Sequence, residues 1–216
     1  MGFKAVIFDL DGTLLDTIDD LMDSMNQVLS RFGFPGHDRE AYKYFVGDGI
    51  EMLVRRALPQ GNRDEAMVAH CVLAMSEEYI LRWDKKTRPY PGIPDLLEAL
   101  VQRGVSLAIL SNKPHDSNQM VVSKFFPNNP FQIVLGARPH IPKKPDPTAA
   151  LEIAEEMHLA PEQFIYLGDT GIDMKTAVNA GMFPVGALWG FRTAQELIDH
   201  GARALLEKPL DFLRYL

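Results

Sequence analysis

Residues 94–110 read PDLLEALVQRGVSLAIL, and this stretch decides the architecture. Residues 94–103 carry a helical pattern closed by Gly104, and 105–110 form a short apolar run of strand type. The same alternation continues downstream. Helices are expected at 115–125, 147–157 and 172–180, and strands at 131–135, 164–167 and 184–188. Pro147 suits a first helical turn, and Gly181 ends the helix before it. Strands alternating with helices imply a parallel sheet covered on both faces.

Upstream the pattern differs. Residues 3–8 end in Val6, Ile7 and Phe8 and read as a buried first strand. Beyond it, Ile18, Leu21, Met22, Met25, Val28, Leu29 and Phe32 place one apolar stripe on a helix, with Thr17 or Asp16 to cap it and Gly33 to end it. Further helical segments follow at 39–46, 50–57 and 63–83, and no strand pattern occurs between Asp16 and Lys86. Arg88-Pro89-Tyr90-Pro91-Gly92 is a stiff connector back to the alternating region. The expected fold is α/β, a Rossmann-like parallel sheet core formed by 1–15 and 88–216. A helical cap subdomain, 16–87, is inserted after the first strand.

Composition narrows the function. With 46% hydrophobic and 24% charged residues in 216, the chain has the balance of a soluble globular protein. A net charge of −7 argues against nucleic-acid binding. The first apolar run is too short for a signal peptide or a membrane span. Cys71 is the only cysteine, so no internal disulfide can form, and a cytoplasmic location is expected. Monomer and homodimer leave no distinguishing mark in the sequence.

In parallel sheets, ligands bind at the carboxyl ends of strands. Those ends carry Asp9 and Asp11, then Ser111 and Asn112, then Asp169 with Asp173 four residues on, while Lys144 precedes a helix. Crowded carboxylates need a cation to stay ionised, and oxygen donors of this kind suit Mg²⁺. Asp9 and Asp11 leave an extended backbone on the same side, so one can attack while the other moves a proton. Ser111 and Lys144 can serve the equatorial oxygens of a transferring phosphoryl group, and Gly12 lets backbone N–H groups come close.

These motifs are Asp9-Leu10-Asp11-Gly12-Thr13, Leu110-Ser111-Asn112, Lys144-Pro145 and Gly168-Asp169-Thr170-Gly171-Ile172-Asp173. In that order, they resemble the haloacid dehalogenase-like superfamily of phosphotransferases. Val46-Gly47-Asp48-Gly49 and Ala187-Leu188-Trp189-Gly190 are most similar to its phosphoglycolate phosphatases. The resemblance implies a small phosphorylated substrate and an aspartyl-phosphate on Asp9. Asp11 would be the proton donor and then the base. Thr13, Ser111, Asn112 and Lys144 would contact the substrate. Mg²⁺ would lie between Asp9, the backbone carbonyl of Asp11 and Asp169, with Asp173 behind them orienting a metal water or Lys144. A second acid at Asp11 favours phosphoryl transfer over dehalogenation. A phosphomutase would share every one of these residues. A non-catalytic receiver would share the clustered acids, Ser/Thr and Lys but not a helical insertion. Lys43, Asp48, Glu51 and Arg55 are candidate selectors of the leaving group, and Trp189 and Arg192 are candidates to line the site.

Overall fold

The computed structural model describes residues 2–216. In chain order the elements are β1 (Ala5–Phe8), β2 (Leu15–Asp16), α1 (Ile18–Arg31), α2 (Arg39–Phe45), α3 (Ile50–Ala57), α4 (Glu65–Arg82) and β3 (Arg88–Pro89). There follow α5 (Ile93–Gln102), β4 (Ser106–Pro114), α6 (His115–Phe125), β5 (Ile133–Ala137), α7 (Thr148–Glu156) and β6 (Phe164–Gly168). The last are α8 (Gly171–Asn179), β7 (Phe183–Ala187), α9 (Ala194–Asp199), β8 (Ala204–Leu206) and a 3₁₀ turn, Pro209–Tyr215. The chain divides into two compact units, Met1–Leu15 with Pro89–Leu216, and Asp16–Arg88.

The first unit is built on a six-stranded sheet of order β5-β4-β1-β6-β7-β8, with every pair parallel. β1 is wholly buried and lies between β4 and β6, with Ala5 opposite both Ser106 and Phe164. A strand covered on both faces can be apolar at every position, which is why Ala-Val-Ile-Phe shows no alternation. The chain builds β4 and β5 on one side of β1 and then crosses to build β6, β7 and β8 on the other, so the carboxyl end of β1 sits at a switch point where ligands collect. Ile7, Ala108, Leu110, Ala150, Ile153 and Tyr166 belong to the core cluster beneath one face.

Several elements depart from expectation. β4 continues to Pro114 rather than stopping at 110, with an irregular register between Leu110 and Pro114. β8, α9, and the two-residue strands β2 and β3, which pair with each other, have no counterpart in the sequence reading. Each is too short for periodicity to register.

The second unit is helical apart from its ends. Thr17 occupies the N-cap position of α1, but its side chain makes no capping bond, so the expected cap is absent. Asp16 and Asp19 instead pair with Arg39. Asp20, in the first turn of α1, is buried and accepts the N–H of Lys86 (3.0 Å) and both the N–H and hydroxyl of Thr87 (2.8 Å each). It therefore fastens the start of the unit to its finish. A second buried acid, Glu78, is paired with Arg31 and Arg82.

Candidate active site

The turn after β1 is made by Gly12 at φ +89°, which a β-carbon would strain; that carbon would also lie 2.3 Å from an Asp169 carboxylate oxygen. The turn leaves Asp9 almost fully buried, accepting the Leu10 N–H at 2.7 Å. Thr13 turns inward and its hydroxyl donates to Asp169 Oδ1 at 2.9 Å. Asp11 is more accessible and pairs through Oδ2 with Lys113 Nζ at 3.1 Å, while its buried Oδ1 has no hydrogen-bond partner.

Lys144 is the hub. Its buried Nζ donates to the Leu110 carbonyl (3.0 Å) and to Asp173 Oδ1 (2.7 Å), and lies 2.9 Å from Asp9 Oδ1. Three N–H groups thus meet three oxygens. Asn112 fixes the hub from behind: its Oδ1 accepts the Lys144 N–H (3.0 Å) and its Nδ2 donates to the Lys144 carbonyl (3.2 Å). Asn112 thereby positions the backbone of Lys144. Ser111 is buried beside it, accepting the Lys113 N–H at 3.1 Å.

Thr170-Gly-Ile-Asp173 folds as a reciprocal cap on α8, with the Thr170 N–H and hydroxyl donating to Asp173 Oδ2 at 3.0 and 2.6 Å. The loop after β7 adds a brace. The Phe191 N–H donates to Asp169 Oδ2 (2.8 Å) and the Trp189 indole N–H to the Thr13 carbonyl (2.9 Å). Gly190 is required there, since a β-carbon would come within 2.2 Å of Asp169. Trp189 thus touches the backbone of Thr13, whereas Phe191 acts through a main-chain N–H and leaves no side-chain signal.

Carboxylate oxygens of Asp9, Asp169 and Asp173 all lie within 4.8 Å of one another. Burial, then the charge of Asp173, holds the Asp9 carboxyl well above the usual carboxylate range despite Lys144. The same two causes push Asp169 up to about 7 against the pull of the Phe191 N–H, the Thr13 hydroxyl and the Arg192 charge. Burial opposes the charge on Lys144, yet Asp173 and Asp9 outweigh it and raise its pKa well above the ordinary lysine value. Three acids against one ammonium leave a surplus of negative charge that a divalent cation would relieve. All-oxygen donors of this type fit Mg²⁺.

Residues 6–187 match the haloacid dehalogenase-like hydrolase family model. The chain belongs to the haloacid dehalogenase-like hydrolases. Relatives include the phosphoglycolate phosphatase of Pseudomonas putida KT2440, 33% identical over 99% of this chain and 78% of that protein. That of Aquifex aeolicus is 30% identical over 99% of this chain and 96% of its own. Among solved structures, a haloacid dehalogenase-like hydrolase from Streptococcus pneumoniae superposes with a TM-score of 0.89 at 25% identity, covering 99% and 98% of the two chains. This haloacid dehalogenase-like hydrolase is a phosphatase, and its parallel sheet is the family's. The receiver alternative falls with that assignment. Among the described residues no helix is long and apolar enough to cross a membrane.

Proposed function

We propose that the protein is a cytoplasmic, Mg²⁺-dependent phosphatase that hydrolyses a small phosphoglycolate-like monoester through an aspartyl-phosphate on Asp9. The observation that carries this reading is the contrast between two acids. Asp9 is buried and gripped by Lys144, whereas Asp11 is more accessible and keeps an unpartnered oxygen. The first suits a nucleophile held in one place, the second a group that trades protons.

In the first step an Asp9 oxygen forms a bond to phosphorus while the ester P–O bond breaks, and Asp11 protonates the departing oxygen. In the second, Asp11 takes a proton from water, the water oxygen bonds to phosphorus, and the Asp9 carboxylate leaves. Lys144 holds Asp9 and balances its charge. Ser111, within β4, offers a hydroxyl to the equatorial oxygens. Asp9, Asp169 and the backbone carbonyl of Asp11 would hold Mg²⁺, with Asp173 behind them. The bound ion would supply positive charge against which the anionic nucleophile and phosphoryl group can meet. In heavy-oxygen water, a single round of turnover should place the label in the released phosphate and leave the Asp9 carboxylate unlabelled, and label found in Asp9 would mean attack at its acyl carbon instead. A stable phosphoenzyme discharged only by a second sugar phosphate would replace hydrolysis with mutase chemistry.

Metal uptake can be read without turnover. Asp169 has a folded pKa of about 7 against an ordinary 3.8, so the folded state binds its proton more tightly than the unfolded state does. This group's contribution to stability is therefore greatest below about pH 4 and declines as the pH rises toward 7. Mg²⁺ at pH 7.5 is expected to recover the loss as an increase in Tm. Asp169→Ala should flatten the pH slope of the metal-free protein and remove most of the Mg²⁺ increment. An unchanged Mg²⁺ titration in that variant would take Asp169 out of the metal site.

A further inference from the structure

Lys113 has no task in the scheme above, yet it sits in the middle of it. Its side chain is only 6% exposed, with Nζ 3.1 Å from Asp11 Oδ2. That contact, rather than strand alternation through the irregular stretch of β4, places the Lys113 ammonium beside the proton donor. The two buried lysines also divide the site. Lys144 touches Asp9 and Asp173, on the nucleophile's side, whereas Lys113 touches the proton donor.

The placement of Asp11 fixes where Lys113 must be relative to substrate. To protonate the leaving oxygen, Asp11 has to come within about 3 Å of it. Lys113 Nζ is then within roughly 6 Å of the same atom. A carboxylate on the carbon that bears the ester oxygen falls inside that reach. We propose that Lys113 determines specificity by binding an anionic substituent of the leaving alcohol, so that phosphorylated 2-hydroxy acids are preferred over neutral esters of equal size. The inference rests on Asp11 being the proton donor. It locates a selector in the strand layer. The candidates in the helical unit are ion-paired within that unit: Lys43 with Glu40, Arg55 with Glu51 and Glu65, and Asp48 with Arg56.

The test compares phosphoglycolate with ethyl phosphate, which replaces the carboxylate by a methyl group. With Mg²⁺ present, wild type is expected to favour phosphoglycolate in kcat/KM by on the order of 10²-fold. Lys113→Gln should collapse that ratio, chiefly through KM for phosphoglycolate, and Lys113→Arg should restore part of it. An equal loss on both esters would mean that Lys113 only holds Asp11, and would overturn the proposal. A readout on unaltered protein covers a variant that fails to fold. Glycolate should inhibit ethyl phosphate turnover competitively while neutral 1,2-ethanediol does not, and equal inhibition by the two would sink the idea. Equal wild-type turnover of both esters would remove the Lys113 role and leave the phosphatase standing. Failure to hydrolyse any monoester would remove the phosphatase reading itself, and the Lys113 role with it.

Discussion

Asp9→Asn is expected to lower kcat by at least about 10³-fold while leaving the fold intact, because the covalent route closes when the nucleophile goes. The substitution is nearly isosteric. An Asn carbonyl can still accept the Leu10 N–H and the Lys144 ammonium that now meet Asp9 Oδ1. It also removes a carboxylate that burial and Asp173 already penalise, so the metal-free variant should melt no lower than wild type. Rates of phosphate release with Mg²⁺, beside a melting curve, check both halves. Substantial retained turnover in protein free of other phosphatases would overturn the role of Asp9.

Lys144→Met should have the largest effect on stability, about 3–5 kcal/mol, since it removes the cation shared by two buried carboxylates. Methionine fills much of the volume but leaves Asp9 and Asp173 facing each other uncompensated. Asp9, whose carboxyl burial and Asp173 already hold well above the usual range, can escape by taking up a proton, so the loss should be smaller at pH 5 than at pH 8. Urea unfolding at the two pH values measures the difference. A loss below about 1 kcal/mol at pH 8 would show that the ammonium is not what balances the pair.

The strand layer was legible because fully buried strands are continuous apolar runs, and 5–8, 107–110 and 164–167 contain nothing else. Glycines at 104 and 181 marked the helix ends. The acids were legible as a set because each follows a strand. What escaped depends on partners distant in sequence. Asp20 looks like any acid in a first helical turn until Lys86 and Thr87 are brought to it. Lys113 carried no motif of its own, and only the Asp11 carboxylate beside it marks it out. Asn112 carried the right motif but points at the Lys144 backbone, an orientation that no spacing encodes. The Phe191 contact is main-chain, and any residue type could have made it.

The clasp formed by Asp20, together with the pairing of β2 and β3, bears on how such a chain can change over generations. A long excursion between neighbouring strands ordinarily adds a closure penalty that grows by about 0.6 kcal/mol with each doubling of its length. Here residues 16–88 fasten their own beginning to their own end. To the sheet they present a short hairpin, whatever their true length. Replacement of everything between Asp20 and Lys86 by another self-closed module would then leave that closure term unchanged. The clasp makes the insertion exchangeable cargo on a fixed chemical frame.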